Sequence, residues 1–337
     1  VVSMYFRLFA NCVLSKGAKE SIICDLQHGK IFNIPNLLFD ILEYNRLNRV
    51  SFDDLLLMSP DVNQGLKEYI NLLRNEELGF FTREPENFPE IEWSFAKQFL
   101  ISNAIISIDK NSNPDTIISL FSELIDVLCC WAIELRLIDQ ESLDQVGSLL
   151  KHLNSSKLRS LTLFVKYQPN QENILSEALK SFPLLSRVIA YDSPWDGSKK
   201  IEDRELEERL FYSTDPLIDS KKIDPSFNFV PTIDVFCESR NQNVGLNAKI
   251  FVDENLVVRN YPGHSKDLGR YKRGELKSQL ANISDLFNWH VTKDNIAVCR
   301  DCKYRPICVD FCEIIASEDS FKRSQVCNYS PYQETFS

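Results

Sequence analysis

A mixed α/β protein in three regions is what this sequence predicts, and three observations carry the prediction. Three short strand patterns followed by three helical patterns open the chain, apolar strand-like runs then recur every 27 to 29 residues, and four of the ten cysteines fall within fourteen residues near the end. The period of the apolar residues separates strands from helices, and punctuation by Gly, Pro and Asn marks where one gives way to the other.

The opening region reads as strands over 4–14, 21–26 and 29–34, the last two joined by a tight turn at Gln27-His28-Gly29. Helical patterns follow. Pro35-Asn36 starts a run through Leu37, Leu38, Phe39, Ile41 and Leu42; Ser51 caps a helix with Asp53 and Asp54 in its first turn; Leu66, Tyr69, Ile70 and Leu73 repeat at helical spacing. Three strands and then three helices make a winged-helix-like (βββααα) domain over 1–85, followed by a connector bearing Pro85 and Pro89.

The second region, 95–236, carries strand-like runs starting near Asn103, Ala132, Leu161 and Val188, the first three each followed by an amphipathic helix. Such a strand–helix repeat builds a parallel sheet or a partial (β/α) barrel. Leu143, Val146, Leu149, Leu150 and Leu153 share one helix face, residues 192–228 read as an irregular excursion, and Phe229–Phe236 reads as a further strand. The third region, 237–337, begins with a hairpin around Asp253-Glu254-Asn255 and ends in the cysteines.

Composition narrows the function. A chain of 337 residues with 44% hydrophobic content sustains two or three cores. No stretch reaches the ~18 to 20 apolar residues of a membrane span, so a cytoplasmic protein without membrane contact is expected. The net charge of -10 opposes a general attraction to nucleic acid or anionic lipid. Residues 1–90 hold nine Lys/Arg against thirteen Asp/Glu, which disfavours the DNA-binding use of a winged helix; a packing or dimerisation domain is the plainer alternative. Ten cysteines in a long chain that reads as cytoplasmic favour metal over disulfides.

The cysteine string 299–312 has the form C-x2-C-x5-C-x3-C, with Cys327 after a further fourteen residues. A C-x2-C knuckle aims two thiolates at one ion or cluster, and Arg300, Lys303 and Arg305 would offset thiolate charge. Four thiolates suit a tetrahedral zinc or an iron–sulfur cluster equally. Four buried, unligated cysteines are the bland reading.

Tyr5-Phe-Arg-Leu-Phe-Ala-Asn-Cys, Ser21-Ile-Ile-Cys-Asp-Leu-Gln, Asn33-Ile-Pro-Asn and the run from Val291 through Cys308 together carry a resemblance that spans nearly the full chain. The string is similar to the SPASM domain, the C-terminal cluster-binding extension of radical S-adenosylmethionine peptide maturases. More closely, the chain resembles the SPASM-domain maturase of grasp-with-spasm peptide systems, encoded beside an ATP-grasp ligase and a short precursor peptide.

The resemblance implies that Cys299, Cys302, Cys308 and Cys327 hold one centre, a 4Fe-4S cluster with Zn2+ as the alternative. A second, inner site would retain only Cys237 and Cys312, because Tyr261 stands where relatives have a cysteine, so that site is expected to be vestigial and empty. Radical chemistry in the family needs C-x3-C-x2-C after the first barrel strand, and here Asp109–Asp115 contains no cysteine. The implied barrel is therefore a degenerate radical-SAM-like one that uses no S-adenosylmethionine.

The N-terminal domain resembles the leader-peptide recognition element of peptide-modifying enzymes, which captures an extended peptide by strand addition. On this chain Gly29–Ile34 and Val62–Arg74 would form the groove, with Ile31, Phe32, Leu66 and Tyr69 as contacts. The expected partners are a ribosomal precursor peptide and an ATP-grasp ligase, and the expected role is that of an accessory scaffold with no catalytic residues. A peptide-modifying enzyme of other chemistry and a metal-stabilised regulator are the alternatives. His28, His152, His264 and His290 stand in no ligand spacing, Cys129-Cys130 read as core, and Asp109, Glu134 and Arg136 near strand ends read as structural ion pairs.

Overall fold

The structure is a computed structural model that describes residues 3–58, 60–96, 99–139, 143–153, 156–198, 208–217, 225–318 and 320–336. The chain forms two compact units that interleave in sequence. The first comprises Val1–Ala96, Lys222–Gly245 and His290–Ser337, the second Lys97–Lys221 and Leu246–Trp289. The stretch 237–337, read from sequence as one region, thus contributes to both.

In the first unit the apolar stretch 4–14 is two strands, not one. β1 (Tyr5–Leu8) pairs with β5 (Gly79–Thr82), whereas β2 (Cys12–Ser15) joins β3 (Glu20–Asp25) and β4 (Lys30–Pro35) in a three-stranded antiparallel sheet. The break is a turn in which the Cys12 N–H donates to the Phe9 carbonyl at 2.9 Å. The β3–β4 turn is shaped by Asp25, whose carboxylate accepts from the N–H groups of Gln27 and His28, and by Gly29 at φ 68°.

Three helices follow: α1 (Asn36–Asn48), α2 (Phe52–Met58) and α3 (Asn63–Asn75). Ser51 caps α2 as expected, its Oγ accepting from the Asp54 N–H at 3.2 Å and donating to the Asp54 carboxylate at 2.6 Å. The helices bury Leu38, Leu42, Leu55, Leu66, Ile70 and Leu73 against Phe6, Ile23 and Ile34.

β3 is buried on both faces. Ile23 faces the helices, while Ile22 and Cys24 face a second cluster with Leu26, Phe236 and Ile307. Period-two alternation normally sets one strand face in the core and one in water, so two cores on opposite faces make this sheet a shared wall.

The expected strand at Phe229–Phe236 is not formed. Thr232 instead caps a helix, Ile233–Ser239, by accepting from the Val235 N–H, and Phe229 makes a single bridge to Cys308. Pro231 supplies no N–H to a sheet ladder, and Thr is a strong capping residue.

The second unit is an eight-stranded sheet among the described residues. β6 (Asn103–Ile108), β7 (Ala132–Leu137), β8 (Ser160–Lys166), β9 (Leu185–Tyr191) and β10 (Leu210–Tyr212) run parallel in chain order, and β11 (Lys249–Val252) lies parallel on the other side of β6. β12 (Val257–Arg259) and β13 (Asp267–Arg270) extend it antiparallel, so the hairpin expected around Asp253–Asn255 is present. β10 falls inside the stretch read as irregular.

Helices α4 (Pro114–Ser122), α5 (Leu143–Leu153) and α6 (Glu172–Ser181) connect the first four of these strands. The segment after β6 folds on itself: Asp109 accepts from the Asn111 N–H and the Ser112 hydroxyl, and Asn113 caps α4. Glu134 and Arg136 form an ion pair at 2.5 Å, matching the structural reading. Cys130 is buried, but Cys129 is exposed at φ 58°, which removes it from the expected core. No helix among the described residues is long and apolar enough to cross a membrane.

Candidate metal centre

The cysteine-bearing segment has little regular structure and is held by short turns. Lys293–Asn295, Cys299–Asp301 and Arg305–Ile307 are 3-10 turns, and the Cys302 N–H donates to the Cys299 carbonyl at 3.0 Å, closing the C-x2-C knuckle. Val298 enters the knuckle at φ 69°, a costly conformation for a β-branched residue.

Two small hairpins complete the site. β14 (Ile314–Ala316) with β15 (Phe321–Arg323) brings Arg323 back to the knuckle, and β16 (Tyr329–Ser330) with β17 (Thr335–Phe336) sets Tyr329 beside it.

Cys299, Cys302, Cys308 and Cys327 line one cavity of about 30 Å³. All four are free thiols, and Lys293, Asp310 and Arg323 share the lining. Among the described residues no three His, Cys, Asp or Glu side chains are drawn together closely enough to hold a metal ion as they stand. Cys237 and Cys312 do not line this cavity. Cys237 is buried on the Ile233–Ser239 helix, and the Cys312 sulfur lies 3.4 Å from the Ser324 hydroxyl.

The charge beside the thiols comes from residues the sequence did not single out. Asp310 is contacted by Lys293 Nζ at 3.3 Å, by Arg323 Nε at 2.8 Å and by Arg323 Nη2 at 3.1 Å, and it accepts from the Cys312 N–H. All three charged side chains are at least nine-tenths buried. Burial alone would raise the Asp310 carboxyl, yet the two cations hold it well below its ordinary range. Burial would likewise lower Lys293, and Asp310 with the neighbouring Cys308 and Cys299 keeps it above the usual lysine value.

One carboxylate against two cations leaves a buried net charge of +1, and Arg323 Nη1 has no hydrogen-bond partner. Buried cations need nearby anions. Four deprotonated thiols around a divalent ion or an iron–sulfur cluster are such an anion, so the donor set and its surroundings fit a four-cysteine centre. Of the three cations expected to offset thiolate charge, two are paired with carboxylates. Arg300 is exposed, Lys303 pairs with Glu20 at 3.0 Å and with Glu334, and Arg305 pairs with Asp294 at 2.7 Å while still lining the cavity.

Burial raises Cys299 and Cys308 and pushes Cys302 up to about 12, which keeps these three thiols protonated when no metal is bound. A thiol raised in the folded state stabilises the fold fully below its unfolded value, and that contribution is lost as pH climbs toward the folded value. Metal-free protein should therefore lose stability steadily above about pH 9. Cys12, Cys24 and Cys130, also pushed up to about 12 by burial, add to the same loss. Metal-loaded protein, whose four thiolates are already deprotonated, should decline less over the same window. Melting temperatures of both forms across pH 8 to 11 check this, and parallel curves would contradict it.

The four residues assigned to peptide capture are dispersed. Phe32 and Leu66 belong to the helix-side core, with Leu66 only 3% exposed, Ile31 packs on the opposite face of the sheet, and Tyr69 lies at the surface. His290 is exposed and does not line the cysteine cavity. No protein-family model matches this chain, and no curated protein matches it.

Proposed function

We propose that the protein is an accessory scaffold of ribosomal peptide maturation in the cytoplasm, a degenerate SPASM-type maturase that holds a precursor's leader for an ATP-grasp ligase. The observation that carries this reading is that the four cysteines of the SPASM-like pattern, separated by up to 28 residues (299 to 327), line one cavity in the same compact unit as the strand–helix region read as the leader-binding element. Cys299, Cys302, Cys308 and Cys327 would hold the centre, which serves structure. The motif resemblance favours a 4Fe-4S cluster. Zn2+ is the alternative, since four thiolates accept either.

The β4 edge is suited to strand addition. The Leu26 N–H to Asn11 carbonyl bond makes Cys12 and Asp25 a non-hydrogen-bonded pair, so β3 bonds β2 through Ile22 and Cys24 and bonds β4 through Ser21, Ile23 and Asp25. On β4 this turns the N–H and C=O of Ile31 and Asn33 outward. Asn33 is exposed, and proline there removes an outward N–H without touching the β3 ladder.

Co-purification of the tagged full chain with the precursor and ligase encoded beside it tests the reading. The expected result is a ternary complex, weakened at least about tenfold in leader affinity by Asn33→Pro with little change in melting temperature. Failure to retain the precursor would overturn the scaffold role. Retention undiminished by Asn33→Pro would move the peptide off this edge.

A further inference from the structure

A groove of about 730 Å³ opens in the first unit between β1 and β2, away from both the four-cysteine cavity and the β4 edge. The two strands leave the Phe9–Asn11 turn toward different partners and do not pair with each other. Their registers show which backbone groups face the gap. The Phe9 N–H donates to the Leu78 carbonyl, which makes Leu8 and Gly79 a non-hydrogen-bonded pair and turns the Leu8 N–H and C=O away from β5. By the β2–β3 register above, Leu14 stands opposite Ile23 in the same way, its N–H and C=O turned away from β3. Phe6, in phase with Leu8, has its carbonyl satisfied by Asn45 Nδ2 at 2.7 Å. Leu8 and Leu14 both line the groove.

The walls are aromatic: Phe39, Phe80, Phe88, Trp93 and Phe236. Phe88 is 45% exposed although it packs edge-on against Phe80 at 4.7 Å. One charge in the lining is incompletely matched. Arg7 is 9% exposed, its Nη2 donates to the Phe88 carbonyl at 3.3 Å, and its Nη1 has no partner. Glu90 approaches Arg7 only to 3.9 Å and sits 2.5 Å from Arg46, which Glu43 also holds.

We propose that this groove takes an extended acidic peptide, which adds as a strand between β1 and β2 and sets one carboxylate on Arg7. Open backbone groups on both sides supply sequence-independent hydrogen bonds, the aromatic walls take alternate apolar side chains, and the guanidinium selects for acid. The volume lies within the range of ligand-binding clefts. This inference does not rest on the metal centre or on leader capture at β4.

The test uses full-length protein and a bead library of capped heptapeptides, random except for a central Glu, beside a matched library with central Gln. Glu beads should be retained at least about tenfold over Gln beads. Phe88→Ala and Arg7→Met should each abolish the preference, Asn33→Pro should leave it intact, and the best-retained peptide should slow amide exchange at Leu8 and Leu14. Should Arg7→Met fail to fold, Phe88→Ala, at a half-exposed site, reads the groove alone. Equal retention of the two libraries, no retention, or retention lost only in Asn33→Pro would overturn the proposal.

Discussion

Replacing Cys302 with serine is expected to abolish stoichiometric metal binding and to leave the cysteine-bearing part of the first unit unfolded at temperatures the unaltered protein tolerates. Ligation at a four-thiolate structural site is worth on the order of 10 kcal/mol, which is comparable to the whole stability of a typical domain. Cys302 stands at the closed end of the knuckle, its own N–H bonded to Cys299, so serine keeps the turn and removes only the sulfur. Metal analysis with visible absorption reads the first effect and also separates iron–sulfur from zinc. Limited proteolysis reads the second, with cleavage expected around the 3-10 turns rather than in the second unit. A Cys302→Ser protein that retains one equivalent of metal and the unaltered melting temperature would remove the centre from this cavity.

The second large effect is expected from Asp310→Asn. This change keeps an acceptor for the Cys312 N–H but leaves Lys293 and Arg323 buried with no carboxylate, a loss of about 3–5 kcal/mol when one partner of a buried ion pair is removed. Lys293→Met makes the contrast. It reduces the buried charge from +1 to neutral, so the metal-free protein should be harmed less than by Asp310→Asn, while affinity for an anionic thiolate centre should fall at least about tenfold. Chemical denaturation of the metal-free proteins and zinc competition against a chelator measure the two quantities separately. Equal destabilisation by both changes with unaltered zinc affinity would show that the triad only packs and does not serve the thiolates.

The second unit was the more legible half of the molecule, because strand and helix alternate there with a near-constant repeat. The expected starts at Asn103, Ala132, Leu161 and Val188 fall on β6 to β9 within three residues. The division of 4–14 into two strands was hidden, since Phe9-Ala10 interrupts no apolar pattern and only Asn11 is a turn former. At the candidate centre the cysteines announce themselves by local spacing. Lys293, Asp310 and Arg323 do not, because three single charges on three separate segments have no period and acquire meaning only when turns and a hairpin bring them together. Asp310, two residues after Cys308, was the nearest thing to a signal.

The shared wall formed by β3 has a consequence for the order in which a new chain can mature. Every residue of the helix-side cluster lies within the first 81 positions, so that core closes early in synthesis from contacts of short range. The other face, with Ile22, Cys24 and Leu26, must wait for Phe236 and then Ile307, after the whole second unit has been made. Until then the nascent protein carries a finished half-domain with an uncovered apolar side, the kind of surface that chaperones bind and that drives aggregation when synthesis stops short. Truncation behind residue 290 should accordingly harm solubility more than the loss of its few strands would suggest, and the last seventh of the chain, roughly, acts as the closing piece for its beginning.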